Sequence, residues 1–340
     1  MKTLIIAEAG VNHNGSMEFA RQLIDIASDA GADYVKFQTF KTEKLVSIRA
    51  EKASYQMKNM KSDHDAKQFG MLKKLELSED NFRELKRYCS KKKIKFLSTG
   101  FDLSSLEFLN RLGIDFFKIP SGEATNLPYL KKVASFGKPI VLSTGMCTMG
   151  DIENAIQVLV ENGIKRKAIS VLHCNTEYPT PLEDVNLKAI SSIHAAFRVD
   201  VGYSDHTAGT VIPIAAVAAG ATIIEKHFTI DRAMDGPDHK ASLNPQELKY
   251  MVSAIRAVEK ALGDGVKRPS RSELKNLVIA RKSIHLSRDL KKGEVIKESD
   301  IEMLRPGDGI TPMEASRVIG KSLNRSRKKG YKLTYSDLKN

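Results

Sequence analysis

The chain has 340 residues, of which 41% are hydrophobic and 28% are charged, a composition typical of a soluble globular protein long enough for two domains. No apolar run approaches the roughly 18 residues of a membrane span, and the N-terminal apolar run lacks a signal-peptide cleavage site. Three cysteines without C-x-x-C spacing exclude a disulfide framework or zinc knuckle, so we expect a cytoplasmic protein with reduced thiols.

The net charge of +13 is concentrated in residues 267–340, where 19 Lys/Arg face 9 Asp/Glu. A basic segment of this kind can bind nucleic acid, attract small anions or form a solvated surface. Because no nucleic-acid motif or interleaved aromatic residues accompany the charge, it favours the last two and no nucleic-acid partner.

Short apolar strands alternate with longer amphipathic segments through the first two thirds of the chain. Several predicted helices end at a glycine just before the next strand, namely Gly31, Gly113, Gly137, Gly163 and Gly220. Eight strand–helix repeats predict an α/β protein and favour a closed (β/α)8 TIM barrel over an open sheet. The predicted strands are 3–9, 33–39, 95–100, 115–120, 139–145, 169–175, 199–205 and 222–229.

The remaining segments predict an insert, a linker and a small second domain. The polar, lysine-rich insert 41–74 is predicted to form a loop over the barrel mouth, by which we mean the C-terminal ends of the strands. We expect the barrel domain over 1–265, a linker over 266–279 and a β-rich domain over 280–340. About 60 residues is near the lower limit for an independent core, so this domain is expected to pack against something else, such as a partner subunit. Its predicted β-runs are 283–286 and 294–296.

Three lysines, Lys36, Lys118 and Lys226, lie within otherwise apolar strands. An unpaired buried ammonium is costly, so each lysine needs an anion. One interpretation is structural pairing with glutamates, and we favour it for Lys226, whose sequence neighbours point the opposite way. The other is that Lys36 and Lys118, with nearby hydroxyls, bind a phosphate and a carboxylate. The candidate glutamates are Glu8, Glu123 and Glu225, and the candidate hydroxyls are those of Thr99, Ser121 and Ser143.

Two histidines, His206 and His227, close the last two predicted strands and can be neighbours at the barrel mouth. Two imidazoles with open positions suit a divalent metal ion that also coordinates water and substrate. For His13, in a glycine-rich turn, a structural role and a ligand role both stay open. His173 could contact substrate or be a core residue.

Several long motifs resemble those of the sialic acid synthase family, which includes N-acetylneuraminate, legionaminate and pseudaminate synthases. The resemblance covers essentially the whole chain and implies a TIM barrel followed by a small β-rich, antifreeze-like (SAF) domain. It also implies a homodimer in which each SAF domain covers the partner's active site. The motifs are IIAEAGVNHNG, VKFQTFK, KIPSGE, LSTGM, LHCNTEYPTPLEDVNL, GYSDHT, EKHFT and GPDHKAS, with RKS, LKKGE and LRPGDGI in the tail.

The resemblance also implies a role for each matching residue. Phosphoenolpyruvate would be bound by Lys36, Thr99, Lys118, Ser121, Ser143, Asn175 and Thr176. The metal, manganese or magnesium, would be bound by His206 and His227. Glu8 would handle the attacking water or a sugar hydroxyl. The sugar would be contacted by Gln38, Glu123, Tyr178, Glu225, Asp238 and, from the partner subunit, Arg305.

The implied reaction condenses phosphoenolpyruvate with an N-acetylated mannosamine and releases phosphate. We expect N-acetylmannosamine as the sugar, giving N-acetylneuraminate. The alternative is 2,4-diacetamido-2,4,6-trideoxymannose, giving N,N'-diacetyllegionaminate, and a pseudaminate synthase is more remote. Two rival functions stay open: a Schiff-base aldolase, which would use a barrel lysine and no metal, and a non-enzymatic binding protein that uses the basic tail.

Overall fold

A computed structural model of the chain describes residues 2–52, 56–57 and 67–339. The chain divides into two units, Met1–Gly263 and Asp264–Asn340. Among the described helices, none combines the length and the hydropathy that crossing a membrane requires.

The first unit is built around eight parallel strands. These are β1 (Leu4–Gly10), β2 (Tyr34–Thr39), β3 (Lys95–Gly100), β4 (Phe117–Ile119), β5 (Ile140–Ser143), β6 (Ile169–Cys174), β7 (Asp200–Asp205) and β8 (Ile223–His227). Their order is β3-β2-β1-β8-β7-β6-β5-β4, so the first strand pairs with the last. β3 and β4 lie side by side without a hydrogen-bonded ladder. The predicted TIM barrel is confirmed.

Helices follow the strands, and capping residues and glycines mark where several of them begin and end. Ser78, Thr148 and Asn244 each cap a helix N-terminus through a reciprocal capping box. The five glycines predicted to stop helices all have positive φ, as at Gly113 (φ +77°). The described helices of this unit are α1 (Met17–Asp29), α2 (Thr42–Leu45), α3 (Gln68–Leu75), α4 (Glu79–Lys91), α5 (Leu103–Leu112), α6 (Leu127–Ala134), α7 (Met149–Glu161), α8 (Ala189–Phe197), α9 (Val211–Ala218) and α10 (Pro245–Leu262).

The insert between β2 and β3 differs from the polar loop that its composition predicts. Residues 53–55 and 58–66 lie outside the described residues, but the described parts form α2 and α3. Met71, Leu72 and Leu75 of α3 are buried in a small apolar cluster with Val11 and Phe40. The i, i+1, i+4 spacing puts these α3 residues on one helix face, which the high lysine content of the segment hides.

The second unit has its own apolar core under short antiparallel strands. The strands are β9 (Ser283–Leu286), β10 (Ile301–Leu304), β11 (Ser322–Leu323) and β12 (Leu338–Lys339). β9 pairs with β10, and β11 with β12. The predicted run 283–286 is confirmed, whereas 294–296 is wrong as a strand, because Val295 makes only an isolated bridge. The predicted linker contains a helix, α11 (Leu274–Ala280), and α12 (Ala315–Val318) follows later in the unit.

Gly202 of β7 is a test of barrel packing. A Cβ here would lie 2.6 Å from Leu172 Cδ2 and press on the carbonyl oxygen of Ile223. We expect Gly202→Ala to lower the free energy of unfolding by about 1–3 kcal/mol, as overpacking does. Gly150→Ala is the control, because its nearest neighbouring atom would be 3.7 Å away. Urea unfolding checks both variants, and equal midpoints would show that the barrel absorbs the extra methyl group.

Candidate active site

A cavity of about 420 Å³ lies at the barrel mouth, and polar side chains from the strand ends converge on it. Thirteen of the sixteen predicted site residues line it. They come from all eight strands or from the loops that follow them, as expected of a (β/α)8 barrel. The thirteen are Glu8, Lys36, Gln38, Thr99, Lys118, Ser121, Ser143, Thr176, Tyr178, His206, Glu225, His227 and Asp238.

The alternation of side chains along β8 decides which residues reach the cavity. Glu225 and His227 line it, whereas Lys226, between them, points away. The Lys226 ammonium donates to Asp205 Oδ2 at 2.6 Å and to the carbonyl oxygen of Thr207, and both side chains of the ion pair are fully buried. Lys226 therefore has the structural role that alternation predicts.

The central feature of the cavity is a buried cluster of two lysines and two glutamates. Lys36 Nζ lies 2.9 Å from Glu8 Oε2 and 3.6 Å from Glu225 Oε2. Lys118 Nζ lies 3.1 Å from Glu225 Oε1. All four residues are buried, yet all four also line the cavity. Lys36 and Lys118 therefore fit both interpretations. Each lysine has a glutamate partner, and each also faces the space that a substrate could occupy.

The pKa values of the two glutamates are shifted in opposite directions. Glu225 contacts both Lys36 and Lys118, whereas Glu8 contacts Lys36. Burial raises the pKa of Glu8 to about 7, with Lys36 opposing and Glu225 adding to the increase. Burial also opposes ionisation of Glu225, but the charges of Lys118 and Lys36 lower its pKa to about 2. Burial likewise disfavours the charged form of Lys36, but its two carboxylate neighbours raise its pKa overall. Of the two glutamates, Glu8 is therefore the one that can exchange a proton near neutral pH.

Hydroxyl groups surround the lysines. Lys36 Nζ donates to Thr99 Oγ1 at 3.1 Å, and Ser121 Oγ accepts the Gly145 backbone N–H at 2.9 Å. The Ser143 hydroxyl is buried and has no hydrogen-bond partner among the described residues. A buried hydroxyl without a partner is costly, so it points to a ligand that would complete its hydrogen bond.

The two histidines lie side by side, with ring centroids 5.6 Å apart. His206 Nδ1 bonds the carbonyl oxygen of Asn175, which can only accept, so Nε2 carries the lone pair and accepts from the Tyr178 hydroxyl at 2.9 Å. Burial lowers the pKa of His206 to about 4 and lowers that of His227 as well. Both imidazoles are therefore neutral, the form that binds metal ions.

The surroundings of His227 also fit a cation. Its Nδ1 is buried, has no hydrogen-bond partner among the described residues, and lies 3.8 Å from Asp238 Oδ2. Two neutral imidazoles, one held by a carbonyl and one with an unsatisfied nitrogen near a carboxylate, form a donor set suited to a divalent metal. Across the described residues no group of three or more His, Cys, Asp or Glu side chains is already arranged as a metal cage. Water or substrate would have to supply the remaining ligands.

Three predicted site residues are not among those lining the cavity in the described part of the chain. Glu123 Oε2 accepts from Asn126, and the Asn175 side chain accepts the Glu177 backbone N–H at 2.7 Å. Asn175 still orients His206 through its main-chain carbonyl. Arg305 is exposed on the second unit, where its Nε donates to the Ala280 carbonyl oxygen at 3.0 Å. The predicted homodimer and the role of Arg305 in a partner's site stay predictions.

The other two histidines considered from the sequence, His13 and His173, have structural partners. His13 Nδ1 accepts the Gly15 backbone N–H at 3.0 Å, which stabilises the turn after β1. His173 bonds the carbonyl oxygen of Val185 at 2.8 Å. Neither side chain lines the cavity. The turn role of His13 and the core role of His173 are therefore the ones that the structure supports.

The structure adds residues that the motifs did not single out. Ser204 donates to Glu225 at 3.0 Å, and Cys174 lies 3.3 Å from the Ser121 hydroxyl. Ser204 precedes His206 by two residues, so strand alternation could have identified it. The structure also adds an apolar surface to the cavity, which we call the apolar wall. It is formed by the side chains of Phe40, Leu45, Val46, Met71, Leu72 and Phe101, which line the cavity and belong to one apolar cluster.

Comparison with known proteins shows relatives along the whole chain. The sequence pattern of the NeuB family matches residues 23–267, and that of the SAF domain matches residues 281–339. The chain is 54% identical to N,N'-diacetyllegionaminic acid synthase of Campylobacter jejuni, over 96% of this chain and 97% of that protein. It is 45% identical to the protein of the same name from Legionella pneumophila, over 99% and 95%.

A solved structure shares the fold at lower identity. It is N-acetylneuraminic acid synthetase from Leptospira borgpetersenii, in complex with citrate, with a TM-score of 0.71 and 34% identity. The match covers 81% of this chain and 90% of that one.

The buried Lys226–Asp205 ion pair allows a test of the structural role of Lys226. We expect Lys226→Met to lower the free energy of unfolding by about 3–5 kcal/mol, because the buried Asp205 charge loses its partner. The double variant Lys226→Met with Asp205→Asn should recover much of the loss, since it leaves no unpaired buried charge. Urea unfolding of the single and double variants measures this coupling. An unchanged midpoint for Lys226→Met would contradict the structural role.

Proposed function

The chain belongs to the NeuB family, and on that basis we propose that it is an N,N'-diacetyllegionaminate synthase. It condenses phosphoenolpyruvate with 2,4-diacetamido-2,4,6-trideoxymannose and releases phosphate. The observation that carries the choice of sugar is the near full-length identity of 54% and 45% to two N,N'-diacetyllegionaminic acid synthases. The same comparison favours this sugar over N-acetylmannosamine, which the sequence motifs led us to expect, because the N-acetylneuraminic acid synthetase is 34% identical.

The lysine side of the cavity is suited to hold phosphoenolpyruvate. Lys36 and Lys118 supply two ammonium groups, and Thr99 and Ser143 supply hydroxyl donors. Groups fixed in a buried site position a substrate and stabilise developing charge without having to reorganise. The unpartnered Ser143 hydroxyl supports this assignment, since a phosphate or carboxylate oxygen would give it a partner.

Glu8 is suited to move the proton that the reaction requires. C3 of phosphoenolpyruvate forms the new bond to the aldehyde carbon, whose C=O double bond opens to a hydroxyl as its oxygen takes up a proton. Water adds at C2, and the C2–O bond to phosphate breaks, which leaves a ketone at C2. The attacking water must lose a proton as it adds. With a pKa of about 7 and a position 2.9 Å from Lys36, Glu8 can accept that proton near neutral pH. Its Oε1 accepts from Gln38 at 3.2 Å, which holds the carboxylate in place.

The histidine side of the cavity would hold a divalent metal, manganese or magnesium. His206 and His227 would bind it, with Asp238 close by. When bound, such an ion acts as a Lewis acid that polarises the sugar aldehyde. The Tyr178 hydroxyl, 2.9 Å from His206 Nε2, faces the same space and is placed to contact the sugar.

The raised pKa of Lys36 and the orientation of Lys226 disfavour a Schiff base at these two lysines. A lysine that attacks a carbonyl must be neutral, and such lysines have lowered pKa values. Two carboxylates raise the pKa of Lys36, and Lys226, whose pKa is lowered by burial, is turned away from the cavity toward Asp205. A binding protein that uses only its basic tail would leave the buried charge cluster at the barrel mouth without a purpose.

A sugar panel tests the proposed reaction. The full chain is incubated with phosphoenolpyruvate, Mn²⁺ and one sugar at a time, and released phosphate is measured. We expect the highest kcat/KM with 2,4-diacetamido-2,4,6-trideoxymannose and a lower value with N-acetylmannosamine. Omitting the sugar is the control for simple hydrolysis. Absence of phosphate release with every sugar would overturn the synthase assignment.

His206→Ala tests the metal side of the cavity. Loss of one of two imidazole donors should weaken Mn²⁺ binding, measured by calorimetry, by about 10–100-fold or more, since even outer-shell changes have effects of that size. Phosphate release should fall with it, while the thermal unfolding midpoint stays near that of the wild type. His194→Ala is the control, because His194 is exposed on α8, bonds the Val199 carbonyl oxygen and does not line the cavity. Unaltered Mn²⁺ affinity in His206→Ala would remove this residue from the metal site.

A further inference from the structure

The cavity at the barrel mouth has two unlike sides. One side carries the lysines, glutamates, hydroxyls and histidines described above. The other is the apolar wall, which comes from the ends of β2 and β3 and from α2 and α3 of the insert. The same insert also contributes two polar residues, Gln56 and Gln68, to the lining of the cavity. Phosphoenolpyruvate does not account for so large an apolar surface, because its phosphate and carboxylate are charged and its single apolar group is one methylene. The wall therefore faces the space left for the second substrate.

The contacts of the wall show that it is a built surface. Phe40 and Phe101 pack edge to face, with ring centroids 6.5 Å apart. Phe40, Met71 and Leu72 are buried, whereas Leu45, in the same cluster, is only half-buried. A half-buried apolar residue that lines a cavity offers its free surface to whatever fills that cavity.

Glu76 holds the two helices that carry the wall. Its Oε2 accepts from the Thr42 backbone N–H at 3.2 Å and from the Thr42 hydroxyl at 3.0 Å, at the start of α2. Its Oε1 accepts from Lys41 Nζ at 3.0 Å, and Lys73 of α3 donates to Oε2 at 3.3 Å. These bonds join the beginning of the insert to its end, so the wall has a fixed place over the barrel mouth.

An apolar wall discriminates between the candidate sugars by their chemistry. N-acetylmannosamine has hydroxyl groups at C4 and C6 and one acetyl methyl group. The 2,4-diacetamido-2,4,6-trideoxy sugar has a methyl group at C6 and two acetyl methyl groups. Hydroxyls pressed against an apolar surface lose their hydrogen bonds to water, whereas methyl groups gain by leaving water. The wall fits the sugar with three methyl groups better.

We propose that the apolar wall is the specificity determinant for the sugar, recognising its C6 methyl and acyl methyl groups. This inference rests on the proposed synthase function and assigns sugar selection to the β2–β3 insert. The lysine and histidine side then serves every sugar alike, since the carboxylate, phosphate and aldehyde are the same in each reaction. Selection among sugars is made on the opposite side of the cavity.

Two substitutions that add polarity with little change in shape test the inference. Val46→Thr replaces a methyl group with a hydroxyl, and Leu45→Asn replaces two methyl groups with an amide. Matched controls are Val158→Thr on α7 and Leu112→Asn on α5, which are also half-buried but do not line the cavity. For each variant, kcat/KM is measured with both sugars at saturating phosphoenolpyruvate, together with the KM for phosphoenolpyruvate.

We expect each wall variant to lower kcat/KM for the diacetamido sugar by about tenfold or more, the range for one methyl group in an apolar pocket. With N-acetylmannosamine, kcat/KM should stay level or rise, so the ratio between the sugars shifts by at least that factor. The KM for phosphoenolpyruvate should match that of the control variants. A ratio that shifts in Val46→Thr or Leu45→Asn but not in the controls supports the inference.

Two results separate failure of this inference from failure of the proposed function. If the wild type is active but the wall variants change both sugars equally, or change neither, the wall is only the core of the insert and the inference is wrong. An active wild type that prefers N-acetylmannosamine also contradicts the inference. If the wild type releases no phosphate with either sugar, the synthase function itself is overturned, and the inference falls with it.

Discussion

The buried cluster of Lys36, Lys118, Glu8 and Glu225 is the constraint on which the rest of the barrel mouth depends. Each ammonium nitrogen lies within 3.6 Å of at least one carboxylate oxygen, and all four side chains are buried. Loss of one member would leave an uncompensated buried charge, whose cost is several kcal/mol. The cluster therefore holds the ends of β1, β2, β4 and β8 in one arrangement and keeps Lys36 charged.

The two glutamates of this cluster have pKa values shifted in opposite directions. Glu225 has two lysine neighbours and the Ser204 hydroxyl, and it stays ionised. Glu8 has one lysine neighbour and is deeply buried, so its pKa is about 7. The two carboxylates thus differ in pKa because their neighbours differ. Glu8 can exchange a proton near neutral pH, and Glu225 beside it stays ionised.

The cavity combines this charged side with an apolar side of separate origin. The charged residues lie on the strands, where the barrel fixes their positions. The apolar wall lies largely on the insert, and Glu76 holds the two ends of that insert together through Lys41 and Thr42. Under the proposed function, the reaction chemistry lies on the strands of the scaffold, and the surface that would meet the sugar lies on an insert outside the strands.

The sequence alone determined the barrel, the strand bounds to within two residues and nine cavity residues, because the strand–helix alternation and the period of two along each strand are local properties. Those properties even indicated that Lys226 would point away from Glu225 and His227. Four further cavity residues, Gln38, Thr176, Tyr178 and Asp238, were expected only from the family resemblance. Glu123 and Asn175 bond partners only two or three residues along the chain, the Asn126 amide and the Glu177 N–H, and these short-range contacts take both side chains away from the cavity. Only the tertiary structure decided that Phe40, Met71 and Phe101, up to 61 residues apart, form one wall. Such contacts depend on how the chain closes around the barrel, which no local pattern records.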